Sequence, residues 1–260
     1  MSTNPPGQYA TDHNLAARQR LWAISRREPA FDLFSWAISL ADITHGGTQR
    51  VLDVGCRNGP YEAVLHASGH AGLRVAVDLS AGMLAHVHHA ARLQADVQAL
   101  PLASVAFDVV LAPHMLYHVP DVALAAAEIR RVLQPGGVCV AVTNGVSNLA
   151  ELRTLVETAV GTGWEMVRPA DVRFSLENGS DLLSTAFEAV TRVDCPWSSI
   201  VVTDVDALAD YVASVADHYE AEVSQPWVNV VARVRDMAAD ALASTGELRF
   251  TTAVGAFVCR

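Results

Sequence analysis

The chain has 260 residues, of which 51% are hydrophobic and 18% charged; that is enough to bury a sizeable core and too apolar for extended disorder outside the ends. All 18 basic residues are arginine and the formal net charge is -10, so Schiff-base chemistry, pyridoxal phosphate attachment and a Walker A lysine are excluded. The arginines are scattered apart from pairs such as Arg26-Arg27 and Arg130-Arg131, and they form no continuous basic face of the kind that neutralises nucleic-acid phosphates. No apolar run reaches membrane-spanning length, and the start, Met1-Ser-Thr-Asn-Pro-Pro-Gly7, reads as polar rather than as a leader, so a cytoplasmic location with no membrane partner is expected. Cys56, Cys139, Cys195 and Cys259 stand singly and far apart, which suits reduced, buried thiols better than disulfides or a zinc site.

In chain order, residues 1 to 8 read as a loose end. Thr11 to Ser25 follows with Leu15, Ala16, Leu21, Trp22 and Ile24 at helical spacing, and Thr11 or Asp12 can cap it. A second helix is predicted from Pro29 to Ile43, with Trp36 on its buried side. Next comes Arg50-Val-Leu-Asp-Val-Gly-Cys-Arg-Asn-Gly-Pro60, a short strand buried on both faces that empties into a glycine loop and then into a helix over Tyr61 to Ala67. Leu73-Arg-Val-Ala-Val-Asp78 is a second strand ending in an acid, a position that commonly holds a ribose diol. Ser80 caps a helix predicted from Ala81 to Ala91. Its His86, His88 and His89 have no nearby carboxylate or cysteine to complete a ligand set, so they read as exposed polar positions rather than a metal site.

A third strand is expected near Arg92 to Ala95, followed by Asp96 and Val97, and a fourth at Phe107 to Ala112. Pro113, His114, Tyr117 and His118 come directly after it, where open α/β sheets place their ligands. Asp121 caps a helix over Val122 to Leu133, which ends at Pro135-Gly136-Gly137 before a fifth strand from Val138 to Val142. Asn144 to Phe174 reads as helical with a glycine break, and its apolar residues, Trp164 among them, suit a lid over the strand ends. Asn178 to Ser184 is a short helix, Phe187 to Asp194 a strand, Asp204 to Tyr219 and Glu220 to Ser244 amphipathic helices, and Arg249 to Cys259 a closing strand.

The blocks at 50–60, 73–83, 95–101 and 107–142, in this order and spacing, resemble the class I S-adenosylmethionine (SAM) dependent methyltransferases, in the branch with small-molecule substrates. The resemblance covers roughly residues 50 to 145, and Tyr9 to Leu21 and Thr143-Asn-Gly145 are similar to one bacterial subgroup. It implies an α/β fold: a Rossmann-like, seven-stranded, mostly parallel sheet with an antiparallel last strand, plus helical N-terminal and lid insertions. The expected divisions are an N-terminal helical cover over 1–45, a SAM-binding core over 46–145, a helical lid over 146–180, and the rest of the sheet over 181–260 with a helical insert at 204–244.

On matching positions, Gly55 and Gly59 would flank the methionine part of SAM, with Asp53 and Cys56 beside them. Asp78 would take the ribose hydroxyls with Leu79 and Met83 near it, Asp96 and Val97 would meet the adenine, and Ala112 and Pro113 would lie by the sulfonium. Tyr9 could stack on the ligand or merely pack, and Arg18 could pair with the methionine carboxylate or remain a solvated helix residue. The family's loop carries a third glycine where this chain has Arg57. An arginine adopts positive φ at a cost of ~1–2 kcal/mol, so the loop must either keep ordinary dihedrals there or be strained; Arg57 pointing outward with SAM still bound is expected, and altered or weakened cofactor binding is the alternative.

The function implied is methyl transfer from SAM to an O, N or C atom of a small-molecule acceptor. His114 or His118 is the candidate base where the nucleophile needs one, and Tyr117, Trp164 and Tyr211 are candidate acceptor contacts. A SAM-binding protein that does not methylate, serving as a cyclase or scaffold, is the second reading. A nicotinamide-dependent oxidoreductase fits less well, because no glycine recurs two residues after Gly55.

Overall fold

The computed structural model describes residues 13–161 and 163–260. The chain opens with α1 (His13–Ile24), β1 (Arg26–Glu28) and α2 (Leu33–Leu40). It then alternates through β2 (Val51–Val54), α3 (Pro60–Ala67), β3 (Arg74–Asp78), α4 (Ala81–Leu84), β4 (Ala91–Gln94), β5 (Phe107–Pro113), α5 (Val122–Val132) and β6 (Leu133–Asn144). The last part holds α6 (Ala150–Val160), α7 (Pro169–Val172), α8 (Gly179–Leu183), β7 (Val190–Asp194), β8 (Ser199–Val202), α9 (Val205–Ala213), α10 (Ala216–Tyr219), α11 (Trp227–Thr245), β9 (Leu248–Thr251) and β10 (Val254–Cys259).

Seven strands form one sheet in the order β4-β3-β2-β5-β6-β10-β7. β2, β3, β4, β5 and β6 run parallel, and β10 lies antiparallel to both β6 and β7. This is the expected sheet with its antiparallel last strand. Its centre is held by apolar residues on both faces: Leu52 and Val54 join the core with Val110, Ile129 and Phe257, while Val51 joins Ala37, Tyr61, Leu65 and Val140 on the other side. Because β3 follows β2 to one side and β5 lies on its other side, the topology reverses at β2, and a crevice opens at the carboxyl ends of β2 and β5.

Short polar side chains start the helices as their positions predict. Asp32, Ser80, Asp121 and Asp204 each accept a hydrogen bond from the backbone N–H three residues on, satisfying donors that the first helical turn leaves open.

Several predicted elements are corrected. The second helix begins only at the Asp32 cap, because residues 26–28 are drawn into a strand. The helix expected to reach Ala91 stops at Leu84, since Ala91 is already paired with Val75 in β4. Pro135-Gly136-Gly137 falls inside β6, absorbed as an irregularity: Phe107 pairs with Leu133 and Val109 with Val138. The closing strand is two strands in two sheets. β9 pairs with β8, which pairs with β1, and the chain crosses over at Thr252-Ala253 into β10. The small sheet β1-β8-β9 carries α6, α9 and α11, and together they bury Ile200, Val202, Leu208, Trp227, Val230 and Phe250. This second apolar core stands over the carboxyl ends of the main sheet, reached through α1 and the segment after β6. No helix among the described residues is long and apolar enough to cross a membrane.

Candidate active site

Between the strand ends and the second core lies a cavity of about 1180 Å³, larger than an ordinary single-ligand pocket. Its floor begins at the turn after β2. Gly55 has φ +66° and lies so close to Met115 that a Cβ would stand 2.5 Å from that side chain's Cβ. Gly59, with φ +81°, ends the turn and starts α3, with Pro60 in its first turn.

Arg57 lies between the two glycines at φ +54° and lines the cavity. The expectation that it keeps ordinary dihedrals and points outward is therefore wrong. The left-handed turn aims its N–H at Asp78 Oδ2 (2.9 Å), and the same turn carries the side chain inward. Its guanidinium has no hydrogen bond or ion pair to another described residue.

Asp78 ends β3. It also accepts from Ser80 N–H through Oδ1 (2.9 Å), and burial pushes its pKa up despite these bonds. Leu79, Met83, Asp96 and Val97 continue the wall on this side, with the Asp96 carboxylate taking the backbone N–H of Gln98.

Asp53 lies behind the loop, fully buried, with neither carboxylate oxygen hydrogen-bonded. Burial, then the neighbouring Glu62 and Asp78, push its pKa well up, against the opposing pull of Arg57. Tyr61, directly above it in α3, also leaves its hydroxyl without a partner. A buried carboxylate left in this state is costly unless a cationic ligand group completes it.

Cys56, Gly59, Ala112 and Pro113 are buried and support the wall without lining it. The Cys56 thiol is pushed up by burial, in apolar company with Ala76, Leu84 and Val87. Tyr9 lies outside the described residues.

Beyond β5 the chain turns sharply. His114 has φ +52° and gives its N–H to Val142 O (2.8 Å), which fixes the turn. Tyr117 and His118 follow in a short 3-10 turn, with rings 4.5 Å apart. Desolvation by the walls, reinforced by Arg57, lowers the His114 pKa to about 3. His118 is also lowered to about 3 by desolvation and then by His218, Arg18, Arg173 and Arg57. Both imidazoles are thus held neutral, and both are weak bases.

The opposite wall comes from distant segments: Arg18 in α1; Leu149, Leu152 and Val156 at α6; Tyr211, Val212 and Val215 at α9; and His218 and Tyr219 in α10. Trp164 lies away from this wall, edge-on to Tyr219 (5.7 Å) and Trp227 (6.3 Å), inside the second core. Its aromatic character fits a lid and a core equally well, and the core claims it. Sequence reading overlooked Gln19, Asn144, Asn148 and Arg168 in the wall; Gln19 and Asn144 lie in the stretches similar to the bacterial subgroup, which were the available signal, and Asn148 and Arg168 belong to no local pattern.

The residues present fit SAM. A cavity that runs past a bare glycine turn and an acid at the neighbouring strand end suits a ligand carrying an adenosine group, and the buried Asp53 lies behind that turn without lining the cavity. Residues 52–141 match the sequence model of the family described as a methyltransferase domain, and they build the parallel part of the main sheet on which the cavity opens.

Among curated proteins, the chain is similar to a malonyl-[acyl-carrier protein] O-methyltransferase of Enterobacter lignolyticus, with 37% identity over 40% of this chain and 42% of that one. It is also similar to the protein of that name from a Methylovorus species, with 27% identity over 70% of this chain and 64% of that one. The matched stretch thus spans less than two thirds of either relative. Among solved structures, a putative methyltransferase from an antibiotic biosynthesis pathway of Anabaena variabilis superposes with a TM-score of 0.63 at 14% identity, covering 90% of this chain and 98% of that one. The cyclase SpnF does so with a TM-score of 0.59 at 19% identity, covering 100% of this chain and 96% of that one. At these identities the likeness is one of fold.

Proposed function

We propose that this chain transfers a methyl group from SAM to an O, N or C atom of a small-molecule acceptor. The observation that carries the reading is the single continuous cavity, which joins the glycine turn and Asp78 at one end to the wall from α6, α9 and α10 at the other. One end suits the donor and the other has room for a second molecule.

When bound, SAM supplies an activated methyl group with a neutral thioether as its leaving group. The chain's own part is placement. Gly55 lets the backbone approach, Asp78 accepts from hydroxyls, the turn at His114 shapes the wall between donor and acceptor, and Asp53, buried behind the loop, acts on a cationic group only through its field. Holding two reactants in near-attack geometry contributes roughly 7–11 kcal/mol, so the reaction can proceed without a strong base where the nucleophile needs none. In this reading α1 and α2 cover the donor, and the 146–180 segment with the insert at 204–244 encloses the acceptor. The curated relatives' named activity supports transfer to oxygen, and a small molecule or a carrier-bound acyl group would both fit that chemistry.

Calorimetry with SAM and with S-adenosylhomocysteine tests the donor half: both should bind with one site per chain, and no heat with either would end the reading. Formation of S-adenosylhomocysteine in the presence of an acceptor separates methyl transfer from a role in which SAM is bound and never consumed.

A further inference from the structure

The methyl-transfer reading gives Arg57 no part. The turn after β2 uses its backbone: at φ +54° the N–H bonds Asp78 Oδ2 (2.9 Å). A glycine supplies the same N–H and adopts that φ without the clash that an arginine Cβ meets. The turn therefore does not require the side chain. Packing does not explain it either, since Arg57 lines the cavity and its guanidinium has no hydrogen bond or ion pair to another described residue. A strained position occupied by a side chain that nothing inside the protein holds points to a ligand.

The charges around it select which part of the ligand. Along the wall from the ends of β2, β3 and β4, the charged lining residues among the described ones are Arg57, Asp78 and Asp96. Both acids already hold backbone N–H groups, Asp78 those of Arg57 and Ser80 and Asp96 that of Gln98. Asp53 lies buried behind the same turn. SAM carries a carboxylate as well as its ammonium and sulfonium groups, and a carboxylate brought beside these acids is repelled unless a cation stands next to it. Burial dominates the pKa shifts of Asp53, Asp78 and His114, and the Arg57 charge acts on all three, which places it at the crevice between β2 and β5. Arg18, which the resemblance would pair with the carboxylate, is engaged elsewhere. It gives Nε to Asn14 O (3.2 Å), and its charge acts, after burial, on His118 and on His218 in α10.

Resting on the SAM-binding reading above, we propose that the Arg57 guanidinium receives the carboxylate of the donor and so positions the amino-acid end of SAM at the turn. A side chain at a loop position that the family fills with glycine then does in this chain what the resemblance assigns to Arg18. A nucleoside thioether without that carboxylate loses the contact, so the turn selects the complete donor.

The test titrates S-adenosylhomocysteine and its α-carboxamide into the full chain by calorimetry. At about pH 6.5, below the ~7.7–8.0 of an α-amino group, the pair differs only by the charge at the carboxyl position. The expected result for wild type is about ten- to hundredfold tighter binding of the acid, the range of a hydrogen bond to a charged group. Arg57→Gly should cut that ratio below about threefold and leave carboxamide affinity within about threefold of wild type. It should also melt close to wild type, the relieved left-handed strain offsetting glycine's greater chain entropy. Arg57→Lys should keep part of the ratio, and Arg18→Gln all of it. A merely structural role, such as a counter-charge for Asp53 and Asp78, would instead lower the melting temperature of Arg57→Gly and weaken acid and amide alike; that result overturns the proposal. So does an acid that wild type binds no better than its amide, tighter S-adenosylhomocysteine binding by Arg57→Gly, or a ratio lost in Arg18→Gln and kept in Arg57→Gly. Wild type that binds neither compound removes the donor reading itself, a result distinguishable from loss of acid preference in a protein that binds both.

Discussion

The two ends of the cavity are built by opposite means. At the donor end the main chain does most of the work: Gly55 and Gly59 at positive φ, and Asp78 Oδ2 accepting the Arg57 N–H from the turn after the neighbouring strand. At the acceptor end single side chains from α1, α6, α9 and α10 converge, and the backbone that carries them belongs to a separate core. The difference separates what must stay constant for one fixed ligand from what can change with each acceptor. It also means that damage to one end should leave the other readable.

The largest test of that separation is Trp227→Ala. Trp227 is buried in the second core, stacks with Tyr219 (5.8 Å) and donates from Nε1 to Val212 O (2.9 Å). Removing it should cost about 3–5 kcal/mol of stability in the lobe. Because the stacked Tyr219 is itself a wall residue, acceptor binding should be lost with it, while SAM affinity measured by calorimetry stays within about threefold. A SAM affinity that falls in step with the lobe's stability would show that the two ends are one unit.

Gly55→Ala strikes the other end. The new Cβ would meet Met115 Cβ at 2.5 Å and Cγ at 2.8 Å, at a φ of +66°. Left-handed strain of ~1–2 kcal/mol adds to overpacking of about 1–3 kcal/mol. The expected outcome is a loss of SAM affinity on the order of 100-fold with an unchanged far-ultraviolet circular dichroism spectrum. Intact SAM binding in this variant would refute the donor role of the turn.

The same division explains what the sequence disclosed. Val51 to Gly59, Asp78 and the capping residues are contiguous or at fixed local spacing, because strand burial, left-handed turns and caps are local requirements, so the main sheet and the turn after its central strand could be read directly. β8 and β9 were missed as partners because each has four residues and their register, Ser199 with Thr251, joins segments about fifty residues apart. The β-branched run Ile200-Val201-Val202-Thr203 was the available signal. Arg57 was misplaced for a different reason. Its usual dihedral preference argued for an outward side chain, but the N–H bond to Asp78 that the turn must make outweighed that preference.

The buried acids under the donor end sharpen the comparison further. Asp53 and Glu62 both have raised pKa values, Asp53 through burial and then Glu62, and Glu62 through burial to about 7 against the pull of Arg74. A carboxyl group whose folded value is raised binds more protons folded than unfolded, so stability is greatest at low pH and falls as pH rises, for Glu62 between about 4.5 and about 7. Asp53→Asn should therefore raise the melting temperature of the SAM-free protein at pH 8 and flatten its decline with pH. Because Asp53 lies behind the loop and does not line the cavity, the same change should weaken SAM by less than about tenfold. A variant that melts lower at pH 8 would contradict the cost assigned to the unpartnered buried carboxylate.

The smallest effect is expected at the acceptor end, where His118 is held neutral. With its value lowered to about 3, the folded state binds fewer protons than the unfolded state between about 3 and 6.5, so its contribution to stability is lost as pH falls through that window and is constant above it. His118 therefore cannot give the pH–rate profile an inflection between pH 6 and 9, and His118→Asn, which keeps a polar group of similar size, should change turnover by less than about tenfold with no shift in the profile. An acidic limb near pH 6.5 that disappears in His118→Asn would mean that the imidazole titrates in the working range. It would then be acting as a base on a nucleophile that arrives protonated, such as a phenol or alcohol.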